Sequence, residues 1–162
     1  RSCLVGSEMC IRDRDIAFLG FGEIDAVGNV NVSKLGGNTV GPGGFIDIAQ
    51  NARKVVFCGT FDTGGARTEV GSGVMRVTEH GRISKLVDKV DQITFSGPQS
   101  LLQGQKVIYI TERAVFELRE NGLHIIEIAP GIDLQTDLLD RMGFVPNMNS
   151  PLSEMDSNYF KK

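Results

Sequence analysis

The chain contains no tryptophan, two histidines, two tyrosines and three cysteines in 162 residues. Each scarcity removes a class of explanation. His80 and His124 stand far apart, and with a lone strand cysteine they lack metal-ligand spacing, so no metal site is expected. Three cysteines make no disulfide framework: Cys3 and Cys10 lie near the start, and Cys58 sits in the apolar run KVVFC as a small buried hydrophobe. A reducing cytoplasm suits that usage. Apolar runs long enough to cross a bilayer are missing. A positive excess is missing too: 17 Lys+Arg against 20 Asp+Glu give a net charge of −3 and a pI near 5.4. That balance argues against nucleic acid and against an anionic membrane as partners.

What is present suits one globular domain with a real core and many turns: 41% hydrophobic residues, 23% charged residues and 20 glycines. The ends read differently from the middle. Residues 1–14, RSCLVGSEMCIRDR, show no period and look like a non-native, adaptor-derived or disordered segment. A signal peptide is a poor alternative, because LVG is too short for an apolar core and Glu8 interrupts it. Residues 15–145 carry the domain, and 146–162 read as a loosely attached tail.

Within the domain, DIAFLGF (Asp15 to Phe21) predicts a buried strand, and Val30 and Val32 a half-exposed one after a glycine turn. Val74 to Thr78 and Ile83 to Val87 alternate with period two, which predicts a hairpin with His80 as a solvent-facing turn residue. Asp91 to Phe95 and Lys106 to Thr111 read as strands, with a helical turn from Pro98 between them. Asn121-Gly122, between alternating runs, marks a second hairpin. Asp133 is placed to cap a helix from Leu134 to Met142 with Leu134, Leu138 and Leu139 on one side. The fold class that follows is α/β, a mixed sheet with hairpins and short helices.

The stretch GPGGFIDIAQNARKVVFCGTF, beginning at Gly41, reads as a glycine loop, a short helix and a buried strand. Two readings of the loop stand side by side: Gly-Pro-Gly-Gly is a tight connection, or its main-chain N–H groups meet an oxyanion at the helix start. With GNVNVSKLGG before it and QITFSGPQSLLQGQKVIYITERAVFELRENGLHIIEIAPGIDL after it, the chain resembles the C-terminal part of family I coenzyme A transferases. The resemblance runs from about Asp15 to Phe160 and is closest to the acetate, propionate and 3-oxoacid CoA-transferases. It implies the NagB/RpiA-like C-terminal domain of that family.

The resemblance further implies an enzyme that moves CoA from an acyl-CoA to a short-chain carboxylate through a glutamyl-CoA thioester. Coenzyme A is then a substrate, and no separate cofactor is expected. The nucleophilic glutamate belongs upstream, so this chain alone is expected to be inactive and to lack an N-terminal CoA-transferase domain. It is then an incomplete gene model or a separate subunit, and the complete enzyme is expected to be a cytoplasmic homo-oligomer. Glu120-Asn121-Gly122 mimics the family's E-x-G motif but falls in the last hairpin turn. Glu112 and Arg113 read as a structural ion pair or turn contact, and no catalytic residue is assigned. The candidate substrate or CoA contacts are Gly41, Gly43, Gly44, Phe45 and Asn31. Gly43 and Gly44 would offer amides to the reacting carbonyl, Phe45 would line the acyl pocket or pack beneath the loop, and Gly44→Val is expected to crowd it. Alternatives are a CoA-ester hydrolase or lyase subunit of the same fold and a non-catalytic assembly subunit. Loss of a packing partner predicts exposed apolar surface and self-association.

Overall fold

Six extended stretches pair side by side in the order of the chain. In the computed structural model, which describes residues 14–161, they are β1 (Arg14–Gly20), β2 (Ala52–Cys58), β3 (Lys106–Ile110), β4 (Ala114–Arg119), β5 (Gly122–Ile128) and β6 (Asn147–Glu154). The reading of the first residues as a non-native segment lies outside the described residues, except that Arg14 opens β1. β1, β2 and β3 are parallel, β4 runs antiparallel to β3 and to β5, and β6 pairs parallel to β5. Long crossovers containing α1 (Phe45–Asn51) and α2 (Gly97–Leu102) link the parallel strands, as parallel pairing requires. The mixed α/β sheet expected from sequence is present.

Register decides what is buried. Ala17, Val55 and Val107 lie abreast, as do Leu19, Phe57, Tyr109, Phe116 and Ile125, and these rows build the core on one face. α1 lays Phe45 and Ala49 on that face; Phe45 stacks on Phe57 with ring centroids 5.8 Å apart, and Phe95 meets Phe57 edge-on at 5.0 Å. Tyr109 is fully buried, and its hydroxyl donates to the Gly28 carbonyl at 2.6 Å. Ser96 caps α2, accepting from the Gln99 amide at 3.4 Å. The other face carries Ile16 and Phe18 of β1, Lys54, Val56 and Cys58 of β2, and Lys106, Ile108 and Ile110 of β3. Ile16, Phe18 and Ile110 remain exposed there.

Tertiary pairing changes several local expectations. Val74–Glu79 pairs back on Arg67–Gly71 around Ser72-Gly73, while Ile83–Ser84 pairs with Asp62–Thr63. Ser72 and Gly73 both have positive φ (55° and 81°), which gives a two-residue turn whose twist matches its strands and displaces the expected hairpin around His80. The Asn-Gly turn moves back by one residue: Arg119 pairs with Gly122, so Glu120 and Asn121 form the tip. Asp91 to Phe95 contributes one bridge, from Phe95 to Val30, instead of a strand. Asp133 does cap the following helix, accepting from the Gln135 and Thr136 amides, but that helix is a π turn (Leu134–Leu138) continued by a 3-10 turn (Leu139–Arg141). Cys58 is exposed, because strand alternation turns it to the open face. The C-terminal segment is no loose tail: Asn147–Glu154 is β6, and Phe160 packs with Met75 and Ala129. Among the described residues no helix is long and apolar enough to cross a membrane.

Candidate functional site

Residues 41–44 form the expected loop at the start of α1. Ser33 anchors its entrance, its carbonyl accepting from the Val40 and Gly41 amides (2.8 and 3.3 Å), and Phe45 N–H closes the turn onto the Pro42 carbonyl at 3.0 Å. Gly41 and Gly43 have φ of 84° and 53°, with open space where a Cβ would stand, so conformation and not room demands glycine. Gly44 is different. Its φ is −81°, and a Cβ there would lie 3.8 Å from Ile48 Cδ1, an ordinary contact. The crowding expected from a side chain at Gly44 is therefore not built into the loop of this chain. Gly43 and Gly44 are exposed, and no hydrogen bond among the described residues uses their N–H groups. Phe45, 9% exposed, takes the packing role.

Asn31 is not free to meet a ligand. Its Nδ2 donates to Glu23 Oε2 (2.8 Å) and to the Lys34 carbonyl, while its Oδ1 accepts from the Ser33 and Lys34 amides (3.1 and 3.0 Å). Fully buried and fully engaged, it organises the turn that leads toward the glycine loop. Glu120 is exposed at the hairpin tip. His124 is buried on β5 and shares a 2.6 Å hydrogen bond with Asn121 Oδ1; burial, and then the Arg119 charge, push its pKa down. Partial burial raises the Cys58 thiol pKa, which disfavours the nucleophilic thiolate.

Sequence reading paired Arg113 with Glu112 but missed its complete burial and its more distant partners. Arg113 has no exposed surface; it donates to Asp62 Oδ1 at 2.8 Å and to the Asp137 carbonyl at 3.1 Å, and it lies 4.7 Å from the centre of the Phe61 ring. Glu112 Oε1 stands 3.4 Å from Arg113 Nε, and Glu112 Oε2 accepts from the Phe61 amide at 2.8 Å. His80 closes the group between Arg113 (3.4 Å) and Asp137 (3.4 Å), half-buried and not facing solvent as its sequence position suggested. Thr111 Oγ1 accepts from the Arg113 and Ala114 amides, which folds the TERA turn. These contacts tie the loops after β2 and β3 to the π turn. TERAVF is thus a scaffold at the carboxyl end of the parallel strands, as the ion-pair reading anticipated for Glu112 and Arg113.

Two clefts lie at opposite ends of those strands. One, about 440 Å³, is lined by Gln50, Lys54, Gln103 and Lys106 at the amino ends. The other, about 330 Å³, is lined by Phe21, Gly22, Glu23, Leu35, Gly36, Thr63 and Lys85 beyond the carboxyl end of β1. Open α/β sheets bind ligands at carboxyl ends, where loops vary without disturbing the sheet.

The chain is 48% identical over 146 residues, 90% of its length, to the acetate CoA-transferase YdiF of Escherichia coli O157:H7. It is 46% identical over 153 residues, 91% of its length, to the caffeate CoA-transferase of Acetobacterium woodii. The crystal structure of the YdiF apoenzyme matches the fold with a TM-score of 0.88, over 90% of this chain and 28% of that one. The chain is therefore similar to one segment of these CoA-transferases. It spans 28% of the length of YdiF and 29% of that of the caffeate enzyme. No protein-family model matches it. Glutaconate coenzyme A-transferase from Acidaminococcus fermentans shares the fold at 20% identity and a TM-score of 0.66, over 95% of this chain and 59% of that one. Among the described residues, the glycine loop and the carboxyl-end cleft are exposed and carry donors that no hydrogen bond engages, and the Arg113 group supports the loops around them.

Proposed function

We propose that the chain is the C-terminal part of a CoA-transferase that moves CoA between an acyl-CoA and a short-chain carboxylate such as acetate, propionate or a 3-oxoacid. Its carrying observation is the 48% identity to acetate CoA-transferase YdiF across 90% of the chain. A crystal structure of that relative is a thioester complex with CoA, which supports a glutamyl-CoA thioester as the intermediate. The nucleophilic glutamate comes from outside this chain. Exposed Ile16, Phe18 and Ile110 supply a surface for the remainder of a longer polypeptide to cover.

The glutamate carboxylate adds to the thioester carbonyl and expels CoA thiolate, leaving a mixed anhydride. Thiolate then adds to the glutamyl carbonyl and releases the first carboxylate, which forms the enzyme thioester. The acceptor carboxylate adds to that thioester, expels thiolate and gives a second anhydride, whose acyl carbonyl takes the thiolate and frees the glutamate. A carboxylate nucleophile needs no activating base. Each addition does create an oxyanion, for which the unengaged N–H groups of Gly43 and Gly44 are suitable donors; one such donor contributes roughly 2.7–4 kcal/mol in known cases.

The test is an acyl-CoA:acetate exchange assay with labelled acetate, on this chain alone and on the chain supplied with its matching N-terminal part. Exchange only with the supplement supports the proposal. Release of free CoA without exchange would replace it with a hydrolase reading, and exchange by the chain alone would move the nucleophile to a carboxylate within it.

A further inference from the structure

We infer that Lys85 is the anion-recognising residue of a site for short-chain carboxylates in the carboxyl-end cleft, its ammonium meeting the ligand's carboxylate and Phe21, Leu35 and Ile83 meeting the apolar body. The inference rests on the transferase reading for the class of ligand. The geometry is independent of it.

The Lys85 ammonium lies 4.3 Å from the centre of the Phe21 ring, half-buried in the cleft of about 330 Å³. Among the described residues no hydrogen bond or ion pair within 4 Å engages its Nζ, whose neighbours include the Phe21 ring and, at longer range, the Glu112 carboxylate. Two carboxylates stand in the neighbourhood, and both are committed elsewhere. Glu23 Oε2 accepts from Asn31 Nδ2 and the Asp91 amide, and Glu112 is shared between the Phe61 amide and Arg113. Burial pushes the Lys85 pKa down, and the Glu112 charge partly offsets it.

The group is also held in place. The Lys85 carbonyl accepts from Ile24 N–H at 2.8 Å and Val87 N–H donates to the Ile24 carbonyl at 2.9 Å, which fixes the backbone beside the segment after β1. A Cβ on Gly59 would come within 2.8 Å of the Phe21 ring and 3.1 Å of Lys85 Nζ, so glycine there leaves the ring and ammonium their position. Phe21, Leu35 and Ile83 give the cleft its apolar walls beside Lys85, with Glu23, Thr63 and Ser84 completing the lining. Its volume is at the small end of ligand clefts, which span about 300–1,000 Å³, and suits a short acid. A bare inorganic anion would leave those walls unused.

The experiment is a titration of the full ¹⁵N-labelled chain with propionate, following the Gly22, Gly36 and Gly59 amides, with phosphate and chloride at equal ionic strength as controls. Saturable shifts with propionate alone are expected, weakened about tenfold or more by Lys85→Met and retained by Lys85→Arg. Leu35→Trp, which fills the cleft and keeps the lysine, should also abolish them. Unchanged propionate shifts in Lys85→Met, equal shifts with phosphate, or no saturable shift in the parent chain would overturn the site. In the exchange assay with the N-terminal part supplied, Lys85→Met should raise the KM for the carboxylate and leave that for acyl-CoA unchanged. Lysine-dependent propionate binding without any CoA transfer would sink the transferase reading and leave the site standing. Transfer with an unaltered carboxylate KM in Lys85→Met would do the reverse.

Discussion

The two faces of the parallel half-sheet carry similar side chains and meet opposite fates. Phe57 of β2 has no exposed surface, enclosed by Phe45, Phe95 and Tyr109, whereas Phe18 of β1 is 67% exposed. Parallel strands are normally buried on both faces, and their sequences are apolar on both for that reason. The described residues place α1 and the Phe95 segment on the Phe57 face, where the core collects. Across β4 and β5 the open face changes character: Glu117 and Arg119 pair there at 2.7 Å, beside Val115 and Glu127. Antiparallel strands tolerate one wet face. The exposed apolar surface of β1 to β3 is therefore a feature of the parallel strands, and it is the part of the sheet that needs further cover.

The strongest test of this contrast compares equivalent truncations. Phe57→Ala should destabilise the chain by about 3–5 kcal/mol in urea unfolding, whereas Phe18→Ala should change stability by no more than about 0.5 kcal/mol. Equal costs would erase the distinction between the faces. Beyond the covered core, Arg113→Met strands the buried Asp62 charge and should cost about 3–5 kcal/mol, most of it recovered when Asp62→Leu is added. No recovery in the double variant would mean that the other contacts of Arg113 dominate.

A smaller effect is expected in association. The chain should self-associate in sedimentation velocity, and the pair Ile16→Thr with Phe18→Ser should shift it toward monomer with little change in urea midpoint. In the loop beside the covered face, Gly43→Ala should cost about 1–2 kcal/mol for its positive φ, and Gly44→Ala only a few tenths. The smallest effect concerns Asp133. The Thr136 amide, then the Thr136 hydroxyl, hold its carboxyl below the usual range. Its folded pKa lies below its unfolded value, so its contribution is complete above the unfolded pKa and is lost as pH falls through the folded one. Asp133→Asn should flatten the acid limb of the stability curve, and an unchanged limb would remove Asp133 from it.

Much of the scaffold was legible locally. DIAFLGF, KVVFC and KVIYIT were read as strands and are β1, β2 and β3, although β1, expected to be buried, leaves Ile16 and Phe18 exposed, and the Gly41 to Phe45 loop preceded a short helix as read. The site was less legible. Asn31 looked like a polar group near a ligand, but its four side-chain hydrogen bonds depend on Glu23 and on the curl of residues 31–34. Lys85 carried no motif at all; only its place over Phe21 and beside Gly59 sets it apart. A signal for the displaced hairpin was available in Ser72-Gly73, two turn residues between runs that pair.

By itself the sequence determined the α/β class, the strand-forming segments, the Asp133 cap and the resemblance to CoA-transferases, since each depends on neighbours within a few residues or on motif content. Tertiary structure alone decided which polar groups are buried and which apolar groups are not. Arg113 finds Asp62 across 51 positions, His80 is drawn between Arg113 and Asp137, and Cys58 turns outward with Phe18. Burial and charge pairing depend on distances between segments far apart in the chain, and those distances are set only when the sheet closes its register.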